Sequence, residues 1–313
     1  MKRIGNLFDQ IISIDNIRAA DKQARKGKLK SYGVIKHIED EEDNIYNLHM
    51  MLKNGEYKTS PYTVFKIYEP KEREIYRLPY YPDRILHHSV QRVIEPILLL
   101  KTFTADTYSS IKGRGLHKAS YRLRNYLKDT KGTKYCLKLD IKKFYPSVCN
   151  ETLKLIIRRK IKDKRLLSLL DEIIDSSQGL PVGNLLSQLF GNLYLTSLDH
   201  YIKENLAVKY YSRYCDDMVI LSDSKEQLHK WFEKIQIYLK DNLKLQVKSN
   251  YQIFPVVGRG IDYLGYKHYH THTLLRKSIK KRYIKTTRPT SLAAYNGWLK
   301  HCNAINLRNK YNK

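Results

Sequence analysis

Three aspartates carry the sharpest chemical signal in this chain. Asp140 ends a run in which Tyr135, Leu137, Leu139 and Ile141 alternate with Cys136, Lys138 and Asp140. That period of two predicts a strand with Asp140 on the face opposite the apolar residues, the face free to work. Asp216 and Asp217 lie 76 residues further on, after Tyr214-Cys215 and between the runs 210–213 and 218–221, which read as the two strands of a β-hairpin. If the two strands are neighbours in one sheet, three carboxylates meet. Packed carboxylates repel unless a hard divalent cation is shared between them, and Mg²⁺ is held by one or two carboxylates plus substrate phosphates. Such a site suits in-line phosphoryl transfer, with two ions stabilising the attacking and leaving oxygens. The plain alternative is an acidic β-turn, and the carboxylate strand upstream argues against it.

Those aspartates need a scaffold, and the flanking periodicities supply one. From Asp83, the spacing of Leu86, Val90, Val93, Ile94, Ile97 and Leu98 predicts a helix that Asp83 can cap. Residues 151–176 read as helical up to a Gln178-Gly179-Leu180-Pro181 turn, and a further helix is expected from about Asn184 to Asn205. Ser224-Lys225-Glu226-Gln227 is a capping box opening a helix with Leu228, Trp231, Phe232 and Ile235 on one side. A β-rich stretch from Asp262 to Leu275 leads into a basic, helical C-terminus, so the order is mixed α+β. His268, His270 and His272 would share one face of a strand, where exposed histidines are far commoner than metal ligands. His87 and His88, adjacent on a helix, point apart.

Composition narrows the partner. The 313 residues hold 58 Lys+Arg against 31 Asp+Glu, a formal charge of +27 spread from Lys2 to Lys313, which predicts a polyanionic partner. With 42% hydrophobic residues, 14 Gly and 9 Pro, disordered and collagen-like classes are excluded. Tyrosine supplies 26 of the 35 aromatic residues, each offering a stacking face and a hydroxyl together. The four cysteines (Cys136, Cys149, Cys215, Cys302) form no CxxC pair, which argues against a disulfide framework or Cys-based zinc site and fits a reducing cytoplasm. Asp9, Gln10 and Asp15 interrupt any leader-like apolar stretch, and nowhere do 18 apolar residues run together, so neither a signal peptide nor a membrane span is expected. Without repeats or a Ser/Gly/Pro linker, domains should share continuous packing.

Leu139-Asp140-Ile141-Lys142-Lys143-Phe144-Tyr145 and Tyr214-Cys215-Asp216-Asp217 resemble the two catalytic blocks of reverse transcriptases of the bacterial retroelement type. Gly179-Leu180-Pro181-Val182-Gly183 with Ser187-Gln188 resembles the block between them. Lys71-Glu72-Arg73 and Ile111-Lys112-Gly113-Arg114-Gly115 resemble upstream fingers blocks; Lys248 and Gly260-Ile261-Asp262-Tyr263-Leu264-Gly265-Tyr266 resemble the blocks after the hairpin. The blocks keep the family order from about residue 66 to 275. Most such enzymes carry Leu-Pro-Gln-Gly where Val182 replaces the Gln here. That departure, with Tyr295-Asn296-Gly297-Trp298-Leu299-Lys300-His301, resembles the reverse transcriptases of diversity-generating retroelements. Retron, group II-like and defence-associated enzymes are the alternatives. Group II intron relatives usually continue into maturase and endonuclease segments, for which no room is expected here, and no ribonuclease H domain can be placed.

The resemblance implies an α+β right-hand polymerase with an antiparallel palm sheet packed on helices: fingers at 1–134, palm at 135–256 with inserted fingers-like helices at about 151–180, and thumb at 257–313. It implies RNA-directed DNA synthesis from dNTPs with two Mg²⁺ ions, Mn²⁺ being the substitute, in mutagenic retrohoming with errors at template adenines. Asp140, Ile141, Asp216 and Asp217 become the metal set, with Asp217 the less essential carboxylate. Tyr145, five residues after Asp140, sits where the family places a bulky ring against the sugar C2′. Lys71 and Arg73 become the triphosphate clamp, Arg through a bidentate fork. Val182 and Gly183 fall in the dNTP site, Lys248 beside the leaving pyrophosphate, Arg114 against template phosphate, and Leu264, Gly265 and Tyr266 in the primer grip. The implied partners are a template RNA, the RNA/cDNA duplex and a small accessory variability determinant protein, with no membrane and a cytoplasmic setting for a bacterial or phage-encoded protein.

Overall fold

The structure, a computed structural model, describes residues 3–68 and 72–311. The chain gathers into two compact units, each built from separated segments. One takes the N-terminal stretch to Phe103 with Lys143–Ser197 and Asp241–Leu245; the other takes Thr104–Lys142, Leu198–Lys240 and the chain from Gln246 onward. The boundaries 1–134, 135–256 and 257–313 therefore do not coincide with the compact units.

In the first unit, helices Phe8–Ile12, Ile14–Ala24, Tyr32–Glu39 and Glu41–Asn54 precede a ribbon of β1 (Thr63–Ile67) and β2 (Arg73–Arg77), paired antiparallel with Thr63 opposite Arg77. Every residue of β1 is exposed. Helix Ile85–Lys101 follows. Asp83 does not cap it: the carboxylate is buried and accepts from the Tyr57 hydroxyl at 2.7 Å and the Ser60 amide at 3.1 Å, partners far upstream that outbid the local helix end. The helix expected over 151–176 is two, Asn150–Arg158 and Lys164–Asp175. The break comes at Asp163, whose Oδ1 caps the second helix through the Leu166 amide (3.3 Å) while Oδ2 takes the amides of Leu7 (2.8 Å) and Phe8 (3.0 Å). The next α-helix, Leu185–His200, gives way to a wider turn at Tyr201–Asn205.

The second unit is built on a four-stranded antiparallel sheet. Its strands β3 (Tyr135–Asp140), β4 (Tyr210–Tyr214), β5 (Asp217–Ser222) and β6 (Gln252–Pro255) lie in the order β4-β5-β3-β6. The predicted alternation of β3 holds, but the face bearing Asp140 is not bare. Its lower end, with Cys136, Val219, Leu221 and Phe254, is covered by Ala119, Leu123, Tyr126 and Leu127 of helix Leu116–Leu127 and by Ile261 and Tyr263. Only the Lys138 and Asp140 end stays half-buried. Helix Lys225–Leu243 opens at Ser224, whose Oγ accepts from the Gln227 amide at 3.1 Å. The return arm of the box is supplied by Ser222 Oγ, accepting from the Ser224 amide at 3.2 Å, instead of by Gln227.

A second sheet, β7 (Ile261–Tyr263), β8 (Tyr266–His268) and β9 (Thr273–Leu275), carries the C-terminal helices Lys277–Lys285, Pro289–Leu299 and Ile305–Tyr311. Tyr266, Leu275, Tyr283, Leu299 and Ala304 form their shared core. Because β8 stops at His268, the three histidines do not share a face: His268 is buried, its pKa pushed down to about 4 by that burial, His270 meets the Thr133 carbonyl at 3.1 Å, and His272 stacks on Tyr269. No helix among the described residues is long and apolar enough to cross a membrane.

Candidate active site

Strand pairing brings the three aspartates to one end of the central strands of the four-stranded sheet. In the β3/β5 register Leu139 faces Met218 and Asp140 faces Asp217. Tyr214 pairs with Asp217 across the β4/β5 hairpin, leaving Cys215-Asp216 as a two-residue turn. Such tight turns need a left-handed residue, and Cys215 supplies it at φ +57°. Asp216 therefore projects from a constrained loop beside Asp140, as the sequence spacing implies.

The electrostatics are those of crowded, desolvated carboxylates. Burial, then the adjacent Asp140, pushes the Asp216 pKa up to about 6 from 3.8. Asp217 is pushed up to about 6 chiefly by burial, with Lys138 opposing and Asp140 and Asp216 adding to the rise. One oxygen each of Asp140 and Asp217 is buried with no hydrogen-bond partner. Orphaned, crowded carboxylate oxygens are what a hard divalent ion satisfies, so the donor set fits a metal. As the side chains stand, no three His, Cys, Asp or Glu among the described residues converge closely enough to enclose an ion. Lysines neutralise the charge instead: the Lys248 ammonium pairs with Asp140 Oδ2, and Lys138 lies 3.7 Å from Asp217. Lys248 is delivered by the main chain, its amide donating to the Asp140 carbonyl at 2.8 Å beside an Ile141–Val247 bridge. Ile141 is itself fully buried, which leaves its carbonyl as the only ligand it could offer.

A pH dependence follows from those acidities. Between about 3.8 and 6 the native state holds protons that the unfolded chain has released, so the metal-free protein should lose stability as pH rises through that window. A divalent ion should reverse the loss. Melting with and without Mn²⁺ should show a larger metal-induced rise in Tm at pH 8 than at pH 5; an equal rise at both would detach the acidities from metal binding.

Of the residues expected to face the nucleotide, Arg73, Tyr145, Val182 and Gly183 lie in the first unit, whereas Lys248 belongs to the second. The Leu180 amide donates to the Tyr145 carbonyl at 2.9 Å, and a Cβ at Gly179 would come within 2.7 Å of the Pro146 carbonyl and 2.8 Å of that of Tyr145. The Tyr76 amide of β2 donates to the Val182 carbonyl at 2.8 Å, and a Cβ at Gly183 (φ +118°) would approach the Tyr76 carbonyl to 2.9 Å. Tyr145, the 179–183 turn and β2 are thus one cluster, in which Tyr145 is half-buried and Arg73 exposed. Lys71 lies outside the described residues.

Two of the residues expected at the nucleic acid make contacts within the protein. Arg114 turns Nη1 onto the carbonyls of Thr104 (2.5 Å) and Thr107 (2.7 Å), bracing its own loop. Tyr266 is fully buried with its hydroxyl on the Trp298 carbonyl at 3.0 Å, and a Cβ at Gly265 would run into Trp298 and Ile279. Leu264 (φ +51°), expected in the same primer grip, is half-buried and packs against the core that covers the four-stranded sheet. Lys138 went unanticipated, although its place two residues before Asp140 puts it on the same face.

Residues 69–268 match the reverse transcriptase (RNA-dependent DNA polymerase) family. Among curated proteins, protein YkfC of Escherichia coli is 26% identical, the match covering 72% of this chain and 70% of that protein. The group II intron-encoded protein LtrA of Lactococcus lactis is 24% identical over 51% of this chain, but the match spans only 28% of LtrA. Among solved structures, telomerase from Candida albicans, in complex with a TWJ fragment of telomeric RNA, superposes with a TM-score of 0.51 at 12% identity, covering 73% of this chain and 49% of that one. The chain thus spans about half of the telomerase it matches, and at that identity the likeness speaks for the fold alone: an α+β right-hand polymerase. With the family match extending over most of the chain and including Asp140, Asp216 and Asp217, this chain belongs to the reverse transcriptase family.

Proposed function

We propose that this chain copies an RNA template into DNA for a diversity-generating retroelement, with reduced fidelity opposite template adenine. The observation that carries polymerase chemistry is the pairing of Asp140 opposite Asp217, with Asp216 at the adjoining turn. Mg²⁺ ions bound there would supply Lewis-acid stabilisation of the attacking and leaving oxygens. Asp140 and Asp216 would hold them, assisted by Asp217 and the Ile141 carbonyl. Lys248, paired with Asp140 Oδ2, would turn to the pyrophosphate oxygens. Tyr145 would exclude a ribose 2′-hydroxyl by steric contact, and Lys71 and Arg73 would clamp the triphosphate. In this reading fingers, palm and thumb follow one another along the chain at 1–134, 135–256 and 257–313. The partners are the template RNA, its cDNA duplex and an accessory variability determinant.

The mutagenic assignment rests on Val182 and on the Tyr295–His301 motif. A Gln at position 182 could hydrogen-bond near the incoming sugar, whereas Val offers packing, and apolar contacts discriminate by only about 1 to 3 kcal/mol. Each tenfold rise in error needs about 1.4 kcal/mol less discrimination. The wild type is expected to misincorporate opposite adenine, and Val182→Gln to reduce this by up to about tenfold. The choice of adenine comes from the family resemblance, not from Val182 itself. Sequencing cDNA made on a defined template, with an accessory protein present, tests it. Uniformly accurate copying of adenines would favour the second reading, a group II-like bacterial reverse transcriptase, to which the likeness to LtrA points.

A further inference from the structure

The turn that carries Asp216 is gripped from within the protein by two charges that never meet solvent. The side chains of Arg213 and Asp199 are both 0% exposed. Asp199 lies one residue from the end of helix Leu185–His200 and receives four donors: Arg213 Nε at 2.7 Å, Arg213 Nη2 at 2.5 Å, the Tyr211 hydroxyl at 2.6 Å and the Thr107 hydroxyl at 2.8 Å. The main chain of Arg213 is fixed as well, its amide donating to the Asp106 carbonyl (2.9 Å) and its carbonyl accepting from the Tyr108 amide (3.1 Å). The remaining guanidinium nitrogen, Nη1, reaches forward and donates to the Cys215 carbonyl at 2.9 Å.

That carbonyl belongs to the left-handed residue of the hairpin, and its peptide plane leads directly into Asp216. Stability alone does not account for the arrangement, because apolar residues of similar volume usually replace a buried ion pair without loss. A planar fork of five N–H donors can be locked on one carboxylate and still present a fixed donor elsewhere, which a lysine cannot do. We propose that Arg213, locked by Asp199, is a positioning residue that orients the Cys215–Asp216 peptide and so sets the Asp216 carboxylate for divalent metal. This rests on the reading of Asp216 as a metal ligand.

Two variants test it in the full-length chain. Arg213→Lys keeps a cation beside Asp199 but gives up the second arm. Asp199→Asn with Arg213→Gln removes both charges, keeps one of the two acceptor oxygens that Tyr211 and Thr107 use, and leaves at 213 a side chain too short to reach Cys215. Each is checked first for a native near-UV circular dichroism spectrum and a cooperative melt without metal. The folded variants are expected to bind Mn²⁺, followed by electron paramagnetic resonance titration, at least about tenfold more weakly than wild type. Their kcat should fall in parallel while KM for dNTP changes little, a split that a purely structural defect would not produce. Wild-type Mn²⁺ affinity in the folded variants overturns the proposal, and should the double variant not fold, Arg213→Lys decides alone. Asp216→Asn separates the underlying reading: if it leaves Mn²⁺ binding unchanged, Asp216 is not a ligand, whatever Arg213 does.

Discussion

Replacing Asp140 or Asp216 with Asn is expected to lower the rate of single-nucleotide incorporation by on the order of a thousandfold or more, because several kcal/mol of transition-state stabilisation depend on correctly held metal. RNA affinity should change little, since it draws on basic side chains dispersed over a chain of net charge +27. Asp216→Asn is the cleaner variant. It removes a buried carboxylate whose pKa is raised by burial and by Asp140, takes one neighbouring charge from Asp217, and should make the metal-free protein more stable at pH 8. Asp140→Asn also breaks the ion pair to Lys248, so its stability gain should be smaller or absent. Asp217 leans towards Lys138, and Asp217→Asn should cost less activity than either. Rapid-quench primer extension reads the rate, and a filter-binding isotherm reads RNA affinity. Activity above about a tenth of wild type in both Asp140→Asn and Asp216→Asn would remove these residues from the chemistry.

The second large effect is on salt. With a net charge of +27, RNA affinity should fall steeply with ionic strength: each neutralised phosphate contributes about 0.7 to 0.9 to the slope of log K against log salt, so six to ten contacts would cost roughly 10³ to 10⁵ between 50 and 200 mM. The second unit shows where part of that charge is concentrated. A cavity of about 850 Å³ is lined by Lys138, Arg259, Lys267, Arg276, Lys277 and Lys280. Arg276 is held by Asp262 at 2.5 Å, whereas Lys277 and Lys280 project from the basic helix Lys277–Lys285. Lys277→Gln with Lys280→Gln should reduce the salt slope by about 1.4 to 1.8 and weaken binding alike for all RNA sequences. An unchanged slope would place the RNA path elsewhere; a slope near zero in the wild type would exclude an electrostatic interface.

What the sequence determined by itself was local. The alternation over Tyr135–Ile141 and the run from Tyr210 to Leu221 specify strands and a hairpin within a few residues, so the Asp140 face and the Asp216 turn were legible without a fold. The order of the family blocks carried the class of polymerase for the same reason, each block being a short contiguous string. Longer-range questions were not legible, because they depend on which elements come to lie side by side. Asp83 looked like a helix cap, yet Tyr57 and Ser60, more than 20 residues upstream, claim its carboxylate. Tyr266 stood in a primer-grip string, but packing against Trp298 from the C-terminal helices buries it. The Lys248–Asp140 pair spans 108 residues. Only the tertiary structure decided that Arg213, the one charge in β4, meets Asp199, the one acidic residue of helix Leu185–His200. Each alone reads as an exposed polar residue; a buried charge is tolerated only when its opposite arrives with the right geometry, and no periodicity in the chain records that meeting.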